Sequence, residues 1–136
     1  MKILFAYPPN IKEIEEKFDL SGKKPVFAYG KVLFNPHRSL VDEYLLCHEL
    51  THATQQGNDP KSWWDRYLSD SSFRLEQEVE AYHAQYSMAA RVSKDRNKTA
   101  KYLHRLAIEL SGTLYGNIIG FTRAYNLIKY GNSKIS

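Results

Sequence analysis

The chemistry-bearing side chains of this chain crowd into one short segment, "CHELTHATQQ", residues 47–56. On an α-helix, His48 and His52 lie on one face, one turn above the other. Two imidazoles so placed can bind a single metal ion, each at about 2.0–2.1 Å. Glu49 follows the first histidine and is rotated by about 100° around the axis. A carboxylate there stands beside the ion and not on it, where it can take a proton from metal-activated water. The chemistry in view is zinc-dependent hydrolysis, with His48 and His52 as metal ligands, Glu49 as general base and Zn2+ as cofactor. Such a site needs a third protein ligand.

Position 58, six residues beyond His52, is Asn58 and not histidine. That disfavours a three-histidine site. His37, His83, His104 and the acids of "FRLEQEVEAYHAQY" remain as sources. In that segment Leu75, Val79, Tyr82, Tyr86 and Ala89 form one apolar stripe, which faces the core. At about 100° per residue, Glu78 lies roughly 60° from the stripe centre, Glu76 roughly 100° away on the other flank, and Glu80 roughly 140° away, toward solvent. A ligand must point inward at the edge of the core, which ranks Glu78 first, Glu76 second and Glu80 last. Ala81, on the flank of Glu78, is small enough to let this helix approach the histidine helix closely.

The elements that must position these groups are legible in outline. "MKILFAYPPN" reads as a first strand and not as a signal peptide. Ile11, Ile14 and Phe18 have helical spacing, with Asn10 as a candidate N-cap. "VFAYGKVLFNP" (26–36) is one bent strand or two short ones around Gly30. A helix is expected from about Ser39 to Gln56, with Ser39 and Asp42 as candidate caps and Gly57 at its end. Asp59 and Pro60 open a second helix, and a third spans about Ser72 to Val92. Two further helical segments follow the basic stretch, parted near Gly112 or Gly116. Strands first and helices after predict an α+β fold, and 136 residues predict one domain over 1–136.

Composition narrows the function classes. With 43% hydrophobic and 13% aromatic residues the chain is a folding one. It has no apolar run of about 18 residues, so no membrane span is expected. The single cysteine, Cys47, excludes an internal disulfide and fits a reducing, cytoplasmic setting; beside His48 it reads as a small buried hydrophobe. The net charge of +4 comes largely from "RVSKDRNKTAKYLHR". Arg91, Lys94, Arg96, Lys98, Lys101 and Arg105 read as a solvated helix end, and binding to nucleic acid is not expected.

"HELTH" with a downstream glutamate helix resembles the gluzincin metallopeptidases. More closely, "FAYG…NP", "HELTH…QQ", "WWDRYL", "RLEQEVEAYHAQY" and "LYGNII" resemble small phage- and prophage-encoded proteins of that type, over most of residues 26–120. The resemblance implies zinc held by two histidines and a glutamate with water in the fourth position, a protein or peptide substrate, and action in the cytoplasm of a host cell. The usual ligand glutamate is followed by a small residue three positions on and by aspartate four on. These positions map to Glu78, Ala81 and Tyr82, so the usual acidic partner of a ligand histidine is replaced. Gln55, Tyr82 or a backbone carbonyl could serve. An oxyanion donor is also implied, with Tyr82, His83, Tyr86 and Tyr115 as candidates. Trp63 and Trp64 are read as core that could also wall a cleft, and Leu114–Asn117 as a helix junction. A zinc-binding protein without turnover, and a protease recruited to nucleic acid, are the alternatives.

Overall fold

The computed structural model describes residues 1–131. The fold is α+β: a small three-stranded sheet near the N-terminus, followed by a helical body. Strand β1 (Lys2–Leu4) leads into α1 (Ile11–Lys17), then into β2 (Phe27–Tyr29) and β3 (Val32–Phe34). The sheet order is β1-β3-β2, with β1 and β3 parallel (Lys2 opposite Val32) and β2 and β3 antiparallel (Tyr29 opposite Val32). The segment around Gly30 is thus two short strands. Gly30 takes φ +61° at the first position of their two-residue turn, a conformation glycine adopts without steric cost.

Helix α2 (Glu43–Gln56) starts four residues later than the sequence predicts. Ser39 does not cap it: its amide and carbonyl are bound by the Asn35 side chain at 2.8 and 2.9 Å. The cap is Asp42, whose carboxylate accepts the Leu45 amide at 2.8 Å. Asp59 caps α3 (Pro60–Ser69) and Asp70 caps α4 (Ser71–Val92). Helix α5 (Arg96–Leu110) begins inside the basic stretch, because Asp95 accepts the amides of Asn97 and Lys98. A single 3₁₀ turn, Thr113–Tyr115, separates it from α6 (Phe121–Tyr130). Asn10 stands at the start of α1, but its side chain makes no capping bond.

Two apolar clusters flank the middle of the molecule. One joins α1, β2 and α3 through Ile14, Phe18, Phe27, Trp63, Trp64 and Tyr67. The other joins α4, α5 and α6 around Val79, Leu103, Leu106, Leu110, Leu127 and Ile128. Full burial of each large apolar side chain contributes roughly 1.5–3 kcal/mol, so each cluster anchors its own flank. Between them α2 packs lengthwise against α4, and Ala81 is fully buried. Gln56 ties α2 to the sheet, accepting the Gly30 amide at 2.6 Å and donating to the Ala28 carbonyl at 2.8 Å. Among the described residues no helix is long and apolar enough to cross a membrane.

Candidate metal centre

The α2–α4 seam brings three potential ligands together. His48 and His52 project from adjacent turns of α2, and Glu78 meets them from α4. The two Nε2 atoms are 3.1 Å apart, and each is 3.2 Å from Glu78 Oε1. Exposures of 4%, 5% and 3% place all three out of bulk water. Four donors arranged tetrahedrally at about 2.0–2.1 Å from an ion lie about 3.3 Å from one another, so the observed separations suit one small divalent cation. The charge suits it as well. Among the described residues, the groups within hydrogen-bonding distance of the buried Glu78 carboxylate are the two imidazoles and a tyrosine hydroxyl, and no lysine or arginine pairs with it. The group could therefore hold a metal ion, and among the described residues no other trio of His, Cys, Asp or Glu converges in this way.

The remaining acids and histidines lie elsewhere. Glu76 and Glu80 are exposed. His83 Nδ1 is 2.8 Å from the Ile128 carbonyl on α6, His104 packs on Phe121, and His37 meets Tyr7. Cys47 is half-buried and free. The basic residues Arg91, Lys94, Arg96, Lys98, Lys101 and Arg105 are exposed.

Two groups that touch the centre, Tyr67 and Gln85, were not singled out for that role by the sequence, whereas Gln55 was. The Tyr67 hydroxyl donates to Glu78 Oε2 at 2.6 Å, and Gln85 Oε1 lies 2.9 Å from His48 Nδ1. Gln85 follows Glu78 by seven residues, two helical turns, so a polar residue on the same flank was the available signal. Tyr67 carried none, since it lies in an apolar stripe where ring packing explains it. Gln55 Oε1 lies 2.7 Å from His52 Nδ1, and its nitrogen donates to Glu80. Position 82 makes no such bond. The Tyr82 ring packs edge-on against His48 with centroids 4.5 Å apart, and its hydroxyl is 2.8 Å from that of Tyr115. Trp63 stacks on Tyr67 and abuts His52 at 5.4 Å. Arg74, buried, donates to the carbonyls of Tyr67 and Tyr115 and so joins the two tyrosine-bearing segments.

Electrostatics follow from burial. Burial disfavours a charged His52, but the Glu78 carboxylate outweighs it and raises the imidazole to about 9 in the absence of metal. Burial likewise works against Glu78, yet His52 and His48 hold it well below the usual carboxylate range. Glu49 is raised by burial, only partly offset by the two histidines and the Ala28 amide. The phenols of Tyr67, Tyr82 and Tyr115 are pushed far up by burial, so all three stay protonated.

Two spaces meet at the centre. An open groove of about 510 Å³ is lined by Lys24, Val26, Glu49, Tyr82, Arg105 and Tyr115 among others. A smaller space of about 70 Å³ is lined by His48, His52 and Glu78 themselves and walled by Phe18, Phe27, Trp63, Trp64 and Tyr67. His48 and Glu49 border both. Trp63 and Trp64 are thus core residues whose rings also wall the smaller space. Tyr82 and Tyr115 border the groove; His83 and Tyr86 do not.

Comparison of the chain with protein-family models, with curated proteins and with solved structures finds no match in any of the three.

Proposed function

We propose that this protein is a zinc-dependent metallopeptidase of the gluzincin type. The observation that carries the reading is the arrangement at the α2–α4 seam: three converging ligand atoms, and next to them a fourth group, Glu49, that opens on the groove. A structural zinc site is normally closed by four protein ligands, whereas a catalytic one leaves a position open. His48, His52 and Glu78 supply three. Zinc held there would act as a Lewis acid toward a peptide carbonyl and would lower the pKa of water.

The chain's own groups account for the remaining tasks. Burial raises Glu49, the direction that makes its carboxylate a better proton acceptor, and it stands beside the ligands where it could take a proton and return it to a leaving amine. Tyr82 and Tyr115 offer protonated hydroxyls on the groove wall, where a donor could stabilise an oxyanion. The groove, at about 510 Å³, has the volume of a small-ligand or short-peptide site. The smaller space is lined by the three ligand residues themselves together with Phe18, Phe27, Trp63, Trp64 and Tyr67, so the centre is faced largely by apolar side chains, which lowers the local dielectric.

The test combines zinc stoichiometry with turnover of a peptide library by the wild type and by Glu49→Gln. One zinc per chain, with cleavage that falls by at least about 100-fold in Glu49→Gln, is expected. Cleavage that survives the substitution removes Glu49 as the base. One zinc per chain with no cleavage in either protein replaces the reading with a zinc-binding protein that does not turn over substrate.

A further inference from the structure

Each imidazole of the metal centre presents Nε2 to the centre and Nδ1 to a glutamine. Gln55 Oε1 lies 2.7 Å from His52 Nδ1, and Gln85 Oε1 lies 2.9 Å from His48 Nδ1. We propose that Gln55 and Gln85 are a matched pair of positioning residues, which lock both histidines as Nδ1–H tautomers and turn both Nε2 lone pairs onto the metal.

For Gln55 the orientation follows from its other partners. The carboxamide nitrogen lies 3.0 Å from the Gln77 carbonyl and 3.0 Å from Glu80 Oε1. Both are acceptors only, so the end that meets them must be the NH2 end. The oxygen is left facing His52 Nδ1, which must then carry a proton. The exposed Glu80 carboxylate therefore acts on His52 at one remove, through Gln55. Gln85 is held at its far end by the Tyr102 hydroxyl, with Nε2 donating at 2.7 Å. In that orientation its oxygen accepts from His48 Nδ1. The reverse orientation would press an NH2 group on Nδ1 and drive the ring proton to Nε2, between His48 and Glu78, where a metal must sit.

Both glutamines are neutral, which sets the charge of the centre. Carboxylates facing Nδ1 would add negative charge to the ring and to the site. With carboxamides, two neutral imidazoles and one carboxylate leave a bound divalent ion with a net charge of about +1. The tilt of each ring is fixed from a different direction. Gln55 acts from the same helix, three residues after His52, and Gln85 from α4, the helix that supplies Glu78. The α2–α4 packing thus delivers the third ligand and the partner of the first histidine together.

This inference rests on the metal centre of the proposed function and not on peptide cleavage. The test is competition for Zn2+ against a chromophoric chelator with wild type, Gln55→Met, Gln85→Met and Gln85→Glu, together with 15N-edited spectra of the zinc-loaded proteins. Each methionine variant should bind Zn2+ about 10–100-fold more weakly, and the slowly exchanging Nδ1–H signal of its histidine should be lost. Gln85→Glu, which keeps an acceptor oxygen opposite Nδ1, should bind at least as tightly as wild type and keep the His48 signal. Affinity within about twofold in both methionine variants overturns the proposal. So does a loss in Gln85→Met that Gln85→Glu fails to restore, because a packing defect would behave in that way. A wild-type chain that takes up no zinc removes the metal centre and this proposal with it, whereas zinc uptake with unaltered variants removes the proposal alone.

Discussion

At the scale of single residues, Glu78 is the pivot. It faces two imidazoles through Oε1 and the Tyr67 hydroxyl through Oε2. Glu78→Ala should abolish stoichiometric zinc binding, while Glu80→Ala should keep one zinc per chain, as read by metal analysis after gel filtration. The metal-free protein makes a second test. His52 is raised to about 9 from 6.5 by Glu78. A raised folded-state pKa gives stability that is complete below the unfolded value and is lost as pH climbs through the folded value. Glu78 is lowered from 4.5, so its contribution is present above 4.5 and fades as pH falls below it. From His52 and Glu78 the Tm of the metal-free protein should fall below about pH 4.5 and again between pH 6.5 and 9, and buried Glu49, raised from 4.5, adds to the fall on the alkaline side. With saturating zinc the His52 part of the alkaline fall should vanish, since neutral His52 is then the form held in the fold. A metal-free Tm that stays level from pH 6.5 to 9 would contradict the His52–Glu78 pairing.

At the scale of elements, the site is a property of the α2–α4 contact. Neither helix contains a complete ligand set, and the 3.2 Å distances across the seam depend on how closely the two axes approach. Ala81 is fully buried in α4, three residues beyond Glu78. Ala81→Leu adds three carbons in a packed interior and should cost about 1–3 kcal/mol in urea denaturation. It should also weaken zinc binding by at least about 10-fold through displacement of Glu78, a loss that chelator competition would reveal. Equal zinc affinity in this variant would show that the seam tolerates a wider spacing. The glutamines at the end of α2 divide their work: Gln55 turns inward to His52, and Gln56 is bonded to the backbone of β2 and the adjoining turn. The small sheet is thereby tied to the helix that bears His48 and His52.

At the scale of the whole molecule, a polar centre is buried between two apolar clusters that share no side chain. A ligand that binds only the folded state stabilises it by RT ln(1 + [L]/Kd), about 2.7 kcal/mol at 100 times Kd. Zinc bridges α2 and α4 in this reading, so its removal should lower Tm by several degrees and loosen the association of the flanks. Thermal scans with and without a chelator would show this, and equal Tm values would argue against a metal at the seam.

What could be read from the sequence was set by local periodicity and chain chemistry. The spacing of His48 and His52 puts them on one face of any helix that contains them. The apolar stripe of α4 separates inward from outward acids, which is why Glu78 is buried while Glu76 and Glu80 are exposed. The α+β order and the caps at Asp42 and Asp59 were legible for the same reason, since turn and cap chemistry acts over three or four residues. The start of α2 was misplaced because Ser39 and Asp42 are both good caps, and only the Asn35–Ser39 hydrogen bonds decide between them. Tyr67 and the groove were outside the reach of periodicity, which marked Gln85 only as a polar residue on the flank of Glu78. The Tyr67–Glu78 and Gln85–His48 contacts join residues 11 and 37 positions apart, and they exist only once α3 and α4 have packed around α2. The helical pattern alone determined which side chains could face a metal. The tertiary packing decided which of them meet, at what distance and with which partners, because convergence of buried polar groups depends on how closely the helices approach and not on their order along the chain.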